Sequence, residues 1–109
     1  MTRLCFFAGS KSAFNILFDT LNFGWMLQDE FELDLVTTNP DDLEPLSEFF
    51  EIHGSSFPST RLGEARALAD YLDRARPDAL VNVVEPSIQG TTVGLLAKRH
   101  GVPFVYRYS

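Results

Sequence analysis

The sequence predicts an α/β fold, a doubly wound and mostly parallel sheet of about five strands with helices on both faces. Three observations predict it. Short apolar runs alternate with helix-period segments along the whole chain. Two of those runs, 4–8 and 79–84, are nearly unbroken in apolar residues, as strands buried on both faces must be. The runs also give way to turn residues: Gly9-Ser10, Asn39-Pro40, Gly54 and Glu85-Pro86-Ser87.

The elements follow in order. Leu4 to Ala8 is the first strand, and Gly9-Ser10-Lys11-Ser12 turns into a helix of about residues 13–30, with Ser12 able to cap it. Phe14, Leu17, Phe18, Leu21 and Trp25 recur at helical spacing and predict its buried stripe. Glu32 to Thr37 alternates and ends in β-branched residues, which predicts the second strand. Asn39-Pro40-Asp41 launches a short helix of about residues 41–48. Phe49 to His53 reads as a weak third strand near an edge. Thr60 or Ser59 caps the next helix, whose expected stripe is Leu62, Ala65, Leu68, Leu72 and Ala75. Pro77 stops it, because proline lacks the donor that the next turn needs. Ala79 to Val84 is the fourth strand, apolar except for Asn82. A helix of about residues 88–100 ends in Lys98, Arg99 and His100, cations that suit its C-terminal dipole, and Gly101 terminates it. Phe104 to Tyr108 is the fifth strand. Right-handed crossovers then give the spatial order 3-2-1-4-5, a Rossmann-like sheet.

Composition narrows the function classes. The chain has 109 residues, enough for one domain, and 45% of them are hydrophobic, enough for a real core. A net charge of −6 with no Lys/Arg cluster argues against nucleic-acid partners. No apolar stretch approaches the roughly 20 residues that span a bilayer. The single cysteine, Cys5, lies in an apolar run and reads as a small core residue, so a cytoplasmic setting is expected. His53 and His100 have no metal-ligand partner close in sequence and read as structural. No metal site and no cofactor are expected.

In an open α/β sheet, ligands bind where the strand order reverses, beyond the carboxyl ends of two diverging strands. Here that crevice lies between Gly9-Ser10-Lys11-Ser12 and Glu85-Pro86-Ser87, with Arg107-Tyr108 beside it. A dinucleotide fingerprint needs three spaced glycines, and only Gly9 stands there; Thr37-Thr38 replace the ribose-binding acid. The nucleoside-triphosphate loop and the phosphoryl-receiver pattern also fail. What remains is a glycine followed by the N–H groups of a helix N-terminus, able to hold an anion or simply to make a tight turn. Glu85 reads either as a base or sugar-hydroxyl partner, or as a solvated turn carboxylate.

Pro77-Asp78 followed by an apolar strand, the Gly-containing helix from Gln89 to Ala97, and Gly101-Val102-Pro103 before another strand resemble the N-terminal domain of retaining GT-B glycosyltransferases of the group 1, family 4-like type. Phe6-Phe7-Ala8-Gly9-Ser10 fits that family's first strand and glycine loop. The resemblance covers essentially the whole chain. It implies an acceptor-binding domain whose nucleotide-sugar donor is held by a second, C-terminal domain absent here, the acceptor being a sugar or lipid-linked molecule. It implies that Gly9 and Ser10 approach the donor phosphates. Lys11, Glu85, Pro86, Ser87, Arg107 and Tyr108 would then line the acceptor side.

Two features depart from the family. Gly9-Ser10 stands where many members have two glycines. Ser109, or the nearby Arg107-Tyr108, falls where many have a histidine, so no catalytic residue is assigned. Because the chain ends directly after a strand, residues 1–109 are expected to be a truncated single domain, inactive alone, with the fifth strand's open edge available to a second copy. The competing expectations are a standalone Rossmann-like binding or regulatory domain, and a different Rossmann enzyme such as a nucleotide-sugar epimerase or reductase.

Overall fold

The computed structural model describes residues 2–9, 14–38, 40–54, 57, 60–82 and 88–106. Its elements are β1 (Thr2–Gly9), α1 (Phe14–Leu27), β2 (Phe31–Thr37), a 3-10 helix (Asp41–Glu48), β3 (Glu51–Gly54), α2 (Arg61–Arg74), β4 (Ala79–Asn82), α3 (Ile88–Arg99) and β5 (Phe104–Tyr106). The five strands form one sheet in the order β3-β2-β1-β4-β5, every neighbouring pair parallel. The expected topology therefore holds.

Both faces of the sheet are covered. On one, Cys5 and Phe7 of β1, Val36 of β2 and Leu80 of β4 pack against Ala67, Leu68, Tyr71 and Leu72 of α2 and Val93 and Ala97 of α3. On the other, Phe6, Ala8, Leu33 and Leu35 meet Leu43 and Leu46 of the 3-10 helix and Phe50, with Leu21, Phe23 and Leu27 of α1 beside them. The unbroken apolar run of β1 follows from this, since its side chains alternate between two cores. Phe6 sits at the centre of the second core, edge-on to Phe50 with ring centroids 5.2 Å apart.

Local signals set the element ends. Thr60 accepts a hydrogen bond from the Gly63 N–H at 3.0 Å and caps α2. Gly101, at φ +71, closes α3 in a left-handed turn. The Gly101 N–H donates to Lys98 and the Val102 N–H to Ala97, satisfying two end carbonyls of the helix. Pro77 ends the α2 segment as expected. Asp78 then does more than turn the chain. Its N–H donates to the Arg3 carbonyl, and its carboxylate accepts from the Arg3 N–H, each at 2.8 Å. This pair fixes where β4 starts beside β1.

Some sequence expectations need correction. Trp25 is exposed, as is Met26; Leu21 packs on the core as expected, joined by Phe23 and Leu27, and the side chains of Phe14, Leu17 and Phe18 lie outside the described residues. Leu62 is also exposed; the buried side of α2 runs through Glu64, Ala67, Leu68, Tyr71 and Leu72. Leu68 and Leu72 are buried as expected, and Tyr71 joins them with its hydroxyl donating to Asp34 of β2. The segment 41–48 is a 3-10 helix, with Pro45 inside it removing one donor.

Two outcomes are expected. Gly24 of α1 lies against Phe49 and Phe50, and an added Cβ would come within 2.6 Å of the Phe50 ring and 2.8 Å of the Phe49 Cβ. Gly24→Ala gains up to ~1 kcal/mol of helix propensity, but overpacking costs about 1–3 kcal/mol. Urea unfolding should therefore show a net loss. His100 makes a second test. Its ring contacts the Leu96 carbonyl and the Asp73 carboxylate, each at 2.9 Å, and these contacts raise its pKa, the carbonyl contributing most. The stabilisation is full below the ordinary histidine range and is lost as pH rises through the raised value. An NMR titration should place His100 above 6.5, and Asp73→Asn should lower it.

Candidate functional site

The premise of the crevice is met. β1 and β4 are parallel neighbours, with Leu4 opposite Ala79 and Phe7 opposite Asn82. From β1 the chain order runs outward in both directions, so this is the point of reversal. The carboxyl ends of β1 and β4 open there together.

Gly9 is the last residue of β1 and pairs with Thr37 of β2. The register slips between Phe7 and Gly9, a bulge that re-aims the end of the strand next to the crevice. Around this point the strands change from apolar to polar while still buried. Thr37 ends β2 with Thr38 just beyond it, and Asn82 ends β4. Asn82 pairs with Phe7 on one side and Tyr106 on the other. Hydroxyl and amide groups thus form a buried polar layer, the floor beneath this edge of the sheet, and each is already engaged inside the protein.

Of the residues expected at the site, Gly9 is placed at this floor. Ser10, Lys11, Glu85, Pro86, Ser87, Arg107 and Tyr108 lie outside the described residues, as does the greater part of both loops. Asn82, Thr37 and Thr38 were not singled out as site residues. The signal for them was present: each is a polar residue ending an apolar strand.

A second polar group lies away from that edge. Asp34, in the middle of β2, is buried, and its Oδ2 accepts from the Arg3 guanidinium at 2.8 Å and from the Tyr71 hydroxyl of α2. Arg3 also reaches Glu32 at 3.1 Å and Glu51 at 3.9 Å. The hydrogen bond to Asp34 raises the Arg3 pKa further, so the guanidinium stays charged. Burial, followed by the neighbouring Cys5 and Asp34, pushes the Tyr71 hydroxyl well above the tyrosine range, which keeps it a donor. Burial pushes the Cys5 thiol up too, so Cys5 is a core residue and not a nucleophile, as the sequence suggested. Sequence alternation alone would have put Asp34 in solvent.

No protein-family model matches this chain, and no curated protein sequence matches it. Solved structures do. MurG of Acinetobacter baumannii superimposes with a TM-score of 0.71 at 14% sequence identity, over 97% of this chain and 34% of that one. The likeness shows the fold: this chain has the Rossmann-like α/β architecture found in MurG, a GT-B glycosyltransferase. The chain spans about a third of that protein's length. Among the described residues, no helix is long and apolar enough to cross a membrane.

The Arg3–Asp34 pair is expected to be structural. Arg3→Leu leaves Asp34 buried without its cation, a change that costs about 3–5 kcal/mol in a fully buried pair. Arg3 is a third exposed, so the lower end applies. Replacing both partners, as Arg3→Leu/Asp34→Leu, should cost less than the single change. Chemical denaturation of the three proteins measures this directly.

Proposed function

We propose that this chain is the acceptor-side domain of a glycosyltransferase that draws its sugar from a nucleotide-sugar, and that it works with a second domain holding the donor. The observation that carries this reading is that β1 and β4 are parallel neighbours at the point where the strand order reverses, in a chain with the fold of MurG.

In this reading the backbone at Gly9 approaches the donor diphosphate when the two domains close. Glycine permits that approach because no Cβ intervenes. The N-terminal end of α1 adds a favourable dipole for the phosphate charge. Glu85, after β4, faces the acceptor and serves as a hydrogen-bond partner for a hydroxyl. The reaction forms one glycosidic bond and breaks the bond from the sugar to the diphosphate, and the acceptor hydroxyl loses its proton. The lone, unreactive Cys5 suits a cytoplasmic setting, the one in which this reading places the protein.

The test is titration of the full-length protein carrying this chain with UDP-, GDP- and ADP-sugars, followed by calorimetry. One nucleotide-sugar class should bind with a 1:1 endpoint. Gly9→Val should weaken that binding at least tenfold with the circular-dichroism spectrum unchanged. Glu85→Ala should slow sugar transfer and leave donor affinity nearly intact. Equal binding and transfer in both variants would remove the crevice from the reading. Ligands bound without any transfer would favour a regulatory binding domain instead.

A further inference from the structure

The geometry points to a divalent transition-metal site between β2 and β3, formed by Asp34, Glu51 and His53, apart from the crevice and independent of the function proposed for it. Asp34 and Glu51 are direct neighbours across the two parallel strands, and His53 is two residues further along β3. The side chains of Glu51 and His53 therefore share the face on which Asp34 lies. One ligand atom from each of the three lies within 4.8 Å of the other two. His53 Nε2 is 3.4 Å from Asp34 Oδ1 and 3.8 Å from Glu51 Oε2. Around a tetrahedral zinc with bonds of 2.0–2.1 Å, ligand atoms sit ~3.3 Å apart. The three atoms need only small side-chain adjustments to reach that spacing.

Two further observations favour an ion over a simple polar contact. His53 Nε2 is buried and makes no hydrogen bond, although two carboxylates flank it. At 3.4 Å from Asp34 Oδ1 and without a hydrogen bond, this nitrogen is poorly satisfied, and a metal bond would relieve it. The surrounding groups also already hold the ligands in position. Asp34 is anchored through Oδ2 by Tyr71 and Arg3, which leaves Oδ1 turned to His53. The Tyr71 ring packs edge-on against the His53 ring, with centroids 4.9 Å apart. Hydrogen-bonded carboxylates and fixed imidazoles are the usual support of metal ligands.

The charge balance is compatible. Arg3 brings one positive charge, but Glu32, Asp34 and Glu51 bring three negative ones. Two negative charges remain for a dication to neutralise. A pocket of about 280 Å³ opens between β3 and α2, with His53, Phe57, Asp70 and Tyr71 in its wall. It gives solvent a path to the His53 side of the cluster. The imidazole favours zinc or a similar ion over magnesium or calcium, which prefer oxygen-only sites.

The experiment uses the full chain, stripped with chelator and titrated calorimetrically with zinc chloride at neutral pH. Saturable binding of one equivalent is expected, together with a higher thermal midpoint on adding zinc. His53→Ala and Glu51→Gln lie at an edge strand and should stay folded by circular dichroism. Each should weaken zinc binding at least tenfold, and magnesium chloride at the same concentration should leave the midpoint unchanged. No saturable zinc binding by the parent protein overturns the proposal. So does unchanged affinity in both variants, which would put the ion elsewhere, and so does equal stabilisation by magnesium.

Discussion

The arrangement at the carboxyl edge depends on how β1 is held at its amino end, and Arg3 is the residue that holds it. Its backbone makes two hydrogen bonds to Asp78, at the start of β4. Its side chain reaches the other way, to Glu32 and Asp34 of β2 and towards Glu51 of β3. From β1, one residue therefore ties its own strand to β2, to β3 and to the residue just before β4. Leu4 falls opposite both Leu33 and Ala79, so the registers of the two central pairings are set together. A slip of one residue would turn Asp34 into the wrong core and Leu35 towards Arg3, which the alternation of a strand does not forgive.

The sheet separates stability from chemistry along its strands. Charged partners cluster towards the amino ends and middle, where Arg3 and Tyr71 bind the Asp34 carboxylate. Neutral polar residues gather at the carboxyl ends, where Thr37, Thr38 and Asn82 surround the end of β1. The two aromatic-rich cores between them keep the ends in fixed relation.

The fold was legible in the sequence because its signals are local and repeated. Runs such as Leu4 to Ala8 and Ala79 to Asn82 declare buried strands, and Thr60, Pro77 and Gly101 mark helix ends by chemistry that needs no tertiary context. Helix orientation was less legible. Trp25 and Leu62 fit their stripes by spacing, yet they face solvent. Which arc of a helix is buried depends on what lies across from it, and that is set by distant residues. The edge of the crevice was legible through Gly9 and the order of the strands. Its floor was not, since a single Asn82 or Thr37 is common at strand ends. The Asp34 network was least legible: its partners come from positions 3, 51, 53 and 71 and meet only after the sheet and α2 assemble.

The claim at the centre of this account is that ligand meets the chain beyond the carboxyl ends of β1 and β4. A crystal structure of the protein soaked with a nucleotide-sugar tests it most directly. The account predicts the diphosphate within hydrogen-bond reach of the backbone following β1. A nucleotide-sugar seated at the amino ends of the strands, near Arg3 and Asp78, would contradict it.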